Sequence, residues 1–345
     1  MVTSMVKKLI NDPLNVTVEE LEGFAKAYSY LVKLVGTHSI VRKDAPIKGK
    51  VGVLCGGGSG HEPVFIGYVG YGMCDAAVLG EVFAAPTPPH ILEATKAIDG
   101  GAGVIYIFGN YAGDNMNFGL AAQMAKSEGI EVEIVNYWDD ISSAPPERRR
   151  ERRGIAGGMY VMKVAGAMAE KGGDLKEVKR VAEKALENIR SFGVGLAPGT
   201  IPATGKPTFT LAEDEIYFGI GAHGEKGVLL TKIKPADEVT ETIVNEILKD
   251  MPLKSGDEVN VLVNGCGSTT LMELYIVTRK AIQMLSDMGV EIHRVDVGNF
   301  LTTQEMAGCT ITIFKLDDEL KELCDAPAYT PIIRICPELQ SKIKT

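Results

Sequence analysis

The chain has 345 residues, 45% hydrophobic and 23% charged, which are the proportions of a globular protein with material for one large domain or two. A formal charge of −9, from 36 Lys and Arg against 45 Asp and Glu, excludes the basic face that a nucleic-acid partner needs. There is no apolar run long enough for a transmembrane helix, no apolar signal core in the first residues, and no CxxC or CxxH spacing among Cys55, Cys74, Cys266, Cys309, Cys324 and Cys336. The expectation is a cytoplasmic protein with reduced thiols, no membrane contact and no metal site of its own.

The first predicted strand, 51–55, is Val-Gly-Val-Leu-Cys and runs directly into Gly56-Gly57-Gly58-Ser59-Gly60. A short strand at 75–79 follows, then a helix at 88–98 with apolar residues at helical spacing. Next come a strand at 104–108 ending at Gly109-Asn110, a helix at 114–127 and a strand at 131–137. Strand, turn, helix and strand at this spacing predict βαβ units and a largely parallel sheet, with ligand-binding loops at the C-terminal ends of its strands. The basic run Arg148 to Arg153, broken by Glu151 and preceded by Pro145-Pro146, reads as a solvated helix start, with phosphate binding as the alternative.

Helices are predicted at 154–171 and 175–191, separated by Gly172-Gly173-Asp174, which ends one and caps the next. The Gly- and Pro-rich segment 192–209 is read as a domain junction. Beyond it lie strands at 215–221, 258–264, 291–297 and 310–316, and helices at 236–249 and 271–288. The two halves share a strand, glycine-turn, helix theme. The expected fold is therefore α/β, with two α/β domains at 1–190 and 191–345, each a parallel or mixed sheet flanked by helices.

Four loops carry candidate chemistry. Gly-Gly-Gly-Ser-Gly-His-Glu-Pro at 56–63 lacks the Gly-Lys-Ser/Thr of a phosphate loop, and the third glycine of GxGxxG falls on His61. It either offers backbone and His61 to a ligand or is a tight turn with an incidental His. Asp114, after Gly109-Asn110-Tyr111-Ala112-Gly113, is either a helix N-cap or a general base at the sheet edge. His223, in Phe218-Gly-Ile-Gly-Ala-His-Gly-Glu225, is flanked by glycines that cannot shield it. His90 and His293 are expected to be structural. Asn264-Gly-Cys-Gly-Ser-Thr-Thr270 is either an anion-binding turn or, preferably, a plain helix cap, and Cys266 has no His to activate it.

Taken together these motifs resemble the substrate-binding K subunits of dihydroxyacetone kinases. Matching segments run in family order over essentially the whole chain: Lys8-Leu-Ile-Asn-Asp12, the 56–63 run, Pro86-Thr-Pro88, Asn110-Tyr111, Gly113-Asp114, Gly205-Lys-Pro207, Phe209-Thr-Leu211, the 218–225 run and Asp325-Ala-Pro327. The resemblance implies that a short ketose is held as a hemiaminal on His223. It further implies that His61 and Asp114 contact substrate hydroxyls and do acid/base work, and that Gly58, Ser59, Gly60 and Gly109 line the substrate site. It also implies a homodimer and a separate L subunit carrying Mg and ADP or ATP, with a phosphotransferase-system component or ATP as phosphoryl source. No cofactor is expected in this chain. Two positions depart from the family pattern: Gly109 stands for its Lys, and Ala85 for its frequent Ser. The first removes a cation and is expected to open space. The departures keep two alternatives in view, a tetrulose kinase subunit such as one for erythrulose, and a non-catalytic ketone-sensing coactivator of a transcription factor.

Overall fold

Two runs of alternating and continuous apolar residues form two six-stranded sheets in the computed structural model, which describes residues 7–338. In chain order the elements are α1 (Val16–Ala27), β1 (Val32–Val35), β2 (Ser39–Arg42), β3 (Gly52–Ser59), β4 (Ala76–Val82), α2 (Pro88–Ile98), β5 (Val104–Gly109), α3 (Ala112–Ser127), β6 (Val132–Tyr137), α4 (Gly158–Glu170) and α5 (Leu175–Glu187). They continue with β7 (Ile189–Ala197), β8 (Glu215–Phe218), β9 (Leu229–Lys232), α6 (Ala236–Asp250), β10 (Glu258–Gly265), α7 (Leu271–Asp287), β11 (Glu291–Gly298), β12 (Ala307–Leu316), α8 (Asp318–Asp325), β13 (Ala328–Tyr329) and β14 (Arg334–Ile335).

The first unit comprises Asn11–Tyr137, Met159–Glu187 and residues 318–338. Its sheet runs β1-β2-β4-β3-β5-β6, parallel from β4 to β6 and antiparallel at the β1-β2 edge. Leu54, Tyr106 and Phe108 share one core with Ile91, Ala94 and Ile98 of α2 and Phe118 of α3. Each large aliphatic or phenylalanine side chain buried there contributes about 1.5–3 kcal/mol. The Tyr106 hydroxyl in that core is satisfied 2.7 Å from Thr95 Oγ1. The alternate residues Val53, Ile105 and Ile107 are also buried, so both faces are covered, as parallel sheets require.

The second unit comprises residues 7–10, Trp138–Gly158 and Asn188–Asp317. Its sheet runs β11-β10-β12-β7-β8-β9, and only β10 and β11 are parallel. Ile243, Val244 and Ile247 of α6 and Leu274, Ala281 and Leu285 of α7 pack with Val261, Val263, Ile311 and Ile313 of the sheet.

The two α/β units stand as expected, but they do not divide at residue 190. Helix α5 has a buried stripe of Val178, Val181, Ala182, Ala185 and Leu186, and it packs on β5 and β6 of the first sheet. Helix α8 returns to the same unit, where Leu323 O accepts from the buried Lys163 Nζ at 2.7 Å. The predicted junction at 192–209 begins inside β7, because Phe192 and Val194 belong to the second core. The helix expected to reach 191 stops at Glu187. Asp174 caps it as predicted, its Oδ1 accepting the Lys176 and Glu177 N–H groups at 2.9 Å.

The basic run is not a solvated helix start throughout. Pro146–Glu151 is a short 3₁₀ turn, but Arg152 is fully buried, with Nη1 3.0 Å from Asp250 Oδ1. Arg190 Nε donates to the same Asp250 oxygen.

Candidate functional site

Strand β3 carries the glycine run to its C-terminal end. A Cβ on Gly58 would lie 2.6 Å from Ala84 N and 2.8 Å from Phe83 Cα, so only glycine lets these backbones pass. Ser59 is buried, its Oγ 2.9 Å from Thr17 Oγ1 of α1, and its carbonyl accepts from Phe83 N. The chain then turns through Gly60, whose N–H donates to Glu62 Oε1 at 2.8 Å. His61 is 4% exposed, and its ring tilts against Phe83 with centroids 4.8 Å apart.

Strand β5 is the parallel neighbour of β3, so its loop leaves the same sheet edge. The strand ends at Gly109, and the loop beyond it leads into α3. The helix starts at Ala112, with Tyr111 at the N-cap position. Asp114 is therefore a buried first-turn residue and not the N-cap; its carboxylate sits where the helix dipole favours negative charge. The space expected at Gly109 is taken: a Cβ there would lie 3.0 Å from the Tyr111 ring and 3.6 Å from that of Tyr137. Ala85 is the nearest neighbour to a Cβ on Gly113, at 3.3 Å. Gly58, Ser59, Gly60, His61, Gly109 and Asp114 thus gather at one edge of the first unit's sheet.

His223 belongs to the second unit, on the turn after β8. Its side chain is 24% exposed, so the ring is within reach of a ligand. Glu225 grips it twice: Oε1 lies 3.0 Å from Nδ1, and Oε2 accepts the His223 backbone N–H at 2.8 Å. A carboxylate only accepts, so Nδ1 carries the hydrogen and Nε2 of the neutral ring keeps its lone pair. Arg153 Nη1 stands 3.8 Å from Glu225 Oε2. Arg153 is itself held by the buried Asp140, with Nε and Nη2 at 3.0 and 2.8 Å from Oδ2, and by Ser142 Oγ. Burial pushes the Glu225 carboxyl up, but the hydrogen bond with the His223 ring, the attraction of that ring in its protonated form and the charge of Arg153 outweigh this and bring it to about 2. Burial dominates at Asp140 and raises it to about 6 against the pull of Arg153.

The motif reading contained Glu225 but gave it no role. Arg153 and Asp140 were missed, because nothing in the sequence brings residue 153 beside residue 225. The fourth loop is a cap: Thr270 and Glu273 form a reciprocal capping box at the start of α7. Cys266 is buried, and burial pushes its thiol up, away from the thiolate. His90 stacks on His38 at 4.0 Å, and His293 faces Glu258. Among the described residues no group of three His, Cys, Asp or Glu is placed to hold a metal ion.

Residues 22–332 match the Dak1 domain. The chain is 44% identical over 332 residues to the dihydroxyacetone-binding subunit DhaK of PTS-dependent dihydroxyacetone kinase 2 from Listeria innocua, covering 96% of this chain and 100% of that one. Among solved structures, it is similar to the dihydroxyacetone kinase of C. freundii in complex with AMP-PNP and Mg2+, with a TM-score of 0.87 and 31% identity. That match covers 94% of this chain and 60% of the other. It is also similar to the dihydroxyacetone kinase operon co-activator Dha-DhaQ, with a TM-score of 0.85 and 34% identity over 91% of this chain and 97% of that one.

Proposed function

The chain belongs to the Dak1 family, and on that premise we propose that it is the ketone-binding subunit of a dihydroxyacetone kinase, with His223 as the covalent anchor. The observation that carries this reading is the double grip of Glu225 on His223. Nε2 adds to the ketone carbon, the carbonyl π pair moves to oxygen, and that oxygen takes a proton delivered from solvent, so that one proton is consumed and the ring gains one positive charge. The product is a hemiaminal on an imidazolium whose charge Glu225 neutralises. An imidazole nitrogen can add to a carbonyl but not to an alcohol, so the step selects ketones over glycerol. His61 and Asp114 hold the hydroxyl groups, and one of them accepts the proton of the hydroxyl that is phosphorylated. Gly58, Ser59, Gly60 and Gly109 give the ligand backbone contact.

The phosphoryl group comes from a nucleotide with magnesium on a separate L subunit, recharged by a phosphotransferase-system component or exchanged for ATP. Working as a homodimer is supported by the edge strand β9, where Leu229 and Leu230 are exposed beside Val228 and Ile233. A cytoplasmic setting is supported by free thiols, five of six of them buried.

The likeness to a co-activator favours one second reading, a ketone sensor without turnover. The test is ketone phosphorylation by the chain with its cognate L subunit and donor, wild type against His223→Ala. Turnover that disappears in the variant supports the kinase reading. Turnover that survives it refutes the covalent step, and ketone binding without turnover by the wild type supports the sensor.

A further inference from the structure

The peptide group that joins Ala222 to His223 is held at both ends by side chains. Its N–H donates to Glu225 Oε2 at 2.8 Å. Its carbonyl oxygen, on Ala222, accepts from Thr303 Oγ1 at 2.6 Å. Glu225 belongs to the same turn as His223. Thr303 lies 81 positions beyond Ala222, in the connection between β11 and β12, and is 1% exposed. It ties the turn to a different part of the second unit. Ser142 Oγ holds Gly219 O at 2.9 Å, four positions before His223; Thr303 holds the residue next to it.

The loop from Asn264 to Thr270, which the proposed mechanism leaves unused, supports Thr303. Asn264 is fully buried at the end of β10. Its Oδ1 accepts the N–H groups of Phe300 and Leu301 at 2.8 and 2.9 Å, and its Nδ2 donates to Leu301 O at 2.8 Å. Two residues on, Cys266 O accepts the Thr303 N–H at 2.9 Å, and Thr303 O accepts from Met306 N at 3.0 Å. Cys266 and Met306 pack with Ile220, from the chain just before His223, in one small apolar cluster. A Cβ on Gly199 would collide with Thr303 O, so the connection is enclosed on that side too. The backbone of Thr303 is thus fixed at the sheet end. Its branched side chain then has few rotamers, and the one adopted aims the hydroxyl at Ala222 O.

We propose that Thr303 is a positioning residue for His223. With both ends of the Ala222–His223 peptide group bonded, its plane is fixed, and so is the direction in which the His223 side chain leaves the backbone. The Glu225 bond lies within the turn and sets its internal shape. The Thr303 bond sets where that shape sits on the end of the second sheet. Removing the hydroxyl leaves the Ala222 carbonyl without this donor in a buried place, and the turn moves to recover a partner.

The consequence for ketone binding rests on the function proposed above; the consequence for the His223 ring does not. The test compares Thr303→Val, which keeps the branched shape and loses the donor, with Thr303→Ser, which keeps the donor. The His223 ring and amide signals are followed by NMR in the free proteins. Thr303→Val should displace both, and Thr303→Ser should leave them near their wild-type positions. In parallel, dihydroxyacetone affinity should fall about tenfold in Thr303→Val and stay within about twofold of wild type in Thr303→Ser. Thr303→Ala, which also lacks the donor, takes the place of Thr303→Val if the latter does not fold. His223 signals that stay put without the donor overturn the proposal, because the ring is then set without Thr303. Equal displacement in Thr303→Ser also overturns it, because the methyl group and not the hydroxyl then holds the turn. So does a ketone affinity that the loss of the donor leaves unchanged. If the NMR behaves as expected but the wild type binds no ketone, the Thr303 contact stands and the kinase reading fails.

Discussion

Glu225 holds His223 at the ring and at the backbone together, with Oε1 3.0 Å from Nδ1 and Oε2 2.8 Å from the amide nitrogen. The second contact fixes the turn, and the first fixes which ring nitrogen is free. Glu225→Gln keeps the size and polarity but removes the anion that would balance the imidazolium of the proposed adduct. The expected loss in kcat/KM for ketone phosphorylation is about 10²-fold, with the fold unchanged. Arg153→Met, one step further from the ring, should cost less. Equal losses in the two variants, measured with the same L subunit, would contradict this ordering.

Gly58 is a different kind of constraint, because its neighbours are backbone and cannot rotate away. Gly58→Ala drives a Cβ to 2.6 Å from Ala84 N. Relief requires β3 to separate from the Phe83 turn. A stability loss of about 1–3 kcal/mol is expected from overpacking alone. Ketone affinity should fall with it, since Ser59 and His61 ride on the same turn. Unchanged denaturation midpoint and affinity would mean that the loop is looser than its packing implies.

Gly109 exchanges the family's lysine for a contact with Tyr111. A Cβ 3.0 Å from that ring makes the ring give way or the backbone shift. Gly109→Ala is expected to cost about 1 kcal/mol of stability. Gly109→Lys should bind ketone more weakly than wild type, and adding Tyr111→Ala should recover part of the loss. That recovery is a coupling between two touching residues, and a double-mutant cycle on ketone affinity measures it. Strictly additive losses would show that the ring is not what excludes the lysine.

The loops that present Gly58, His61, Asp114 and His223 were legible in the sequence because each is local: a strand, a few glycines, then the candidate side chain. The two α/β units were legible from hydrophobic periodicity. Their interleaving was not, because the apolar stripe of α5 says that the helix is buried but not on which sheet. Arg152 was misread for a related reason. Its run looks like a solvated surface, and its carboxylate partner Asp250 lies 98 positions away. Arg153 and Asp140 were invisible to motif reading, since the chain they form to His223 runs through Glu225. Tyr111 filled the space at Gly109 because a ring two residues along can fold back over a glycine, which spacing alone does not reveal.

Asp250 binds two buried guanidinium groups, those of Arg152 and Arg190. Arg152 is 0% exposed and Arg190 5%. Asp250→Ala leaves both cations without their shared anion, at an expected cost of about 3–5 kcal/mol in the second unit. Replacing the arginines together with apolar residues of similar size should cost far less than removing Asp250 alone, because no charge is then stranded. Chemical denaturation of the two variants makes the comparison. An Asp250→Ala loss below about 1 kcal/mol would mean that solvent reaches the arginines.

The His223 turn also gives a pH signature whose sign can be worked out. The ordinary carboxyl value for Glu225 is 4.5 and the folded value is about 2, so the folded state favours the ionised form. Its contribution to stability is complete above about pH 5 and is lost as pH falls toward 2. The interval corresponds to about 3 kcal/mol, and partial exposure of the pair to solvent reduces this to about 1–2 kcal/mol. Asp140 has the opposite sign: burial raises it from 3.8 to about 6, so what it contributes is present below 3.8 and lost as pH rises through 6. Subtracting Glu225→Gln from wild type removes the Asp140 term to first order, since both proteins retain it. The difference in unfolding free energy should therefore be level from about pH 7 to 5 and shrink steadily from there to the lowest pH at which unfolding stays reversible. A difference that stays constant down to about pH 3 would show that Glu225 is not held in its charged form by the His223 ring and Arg153.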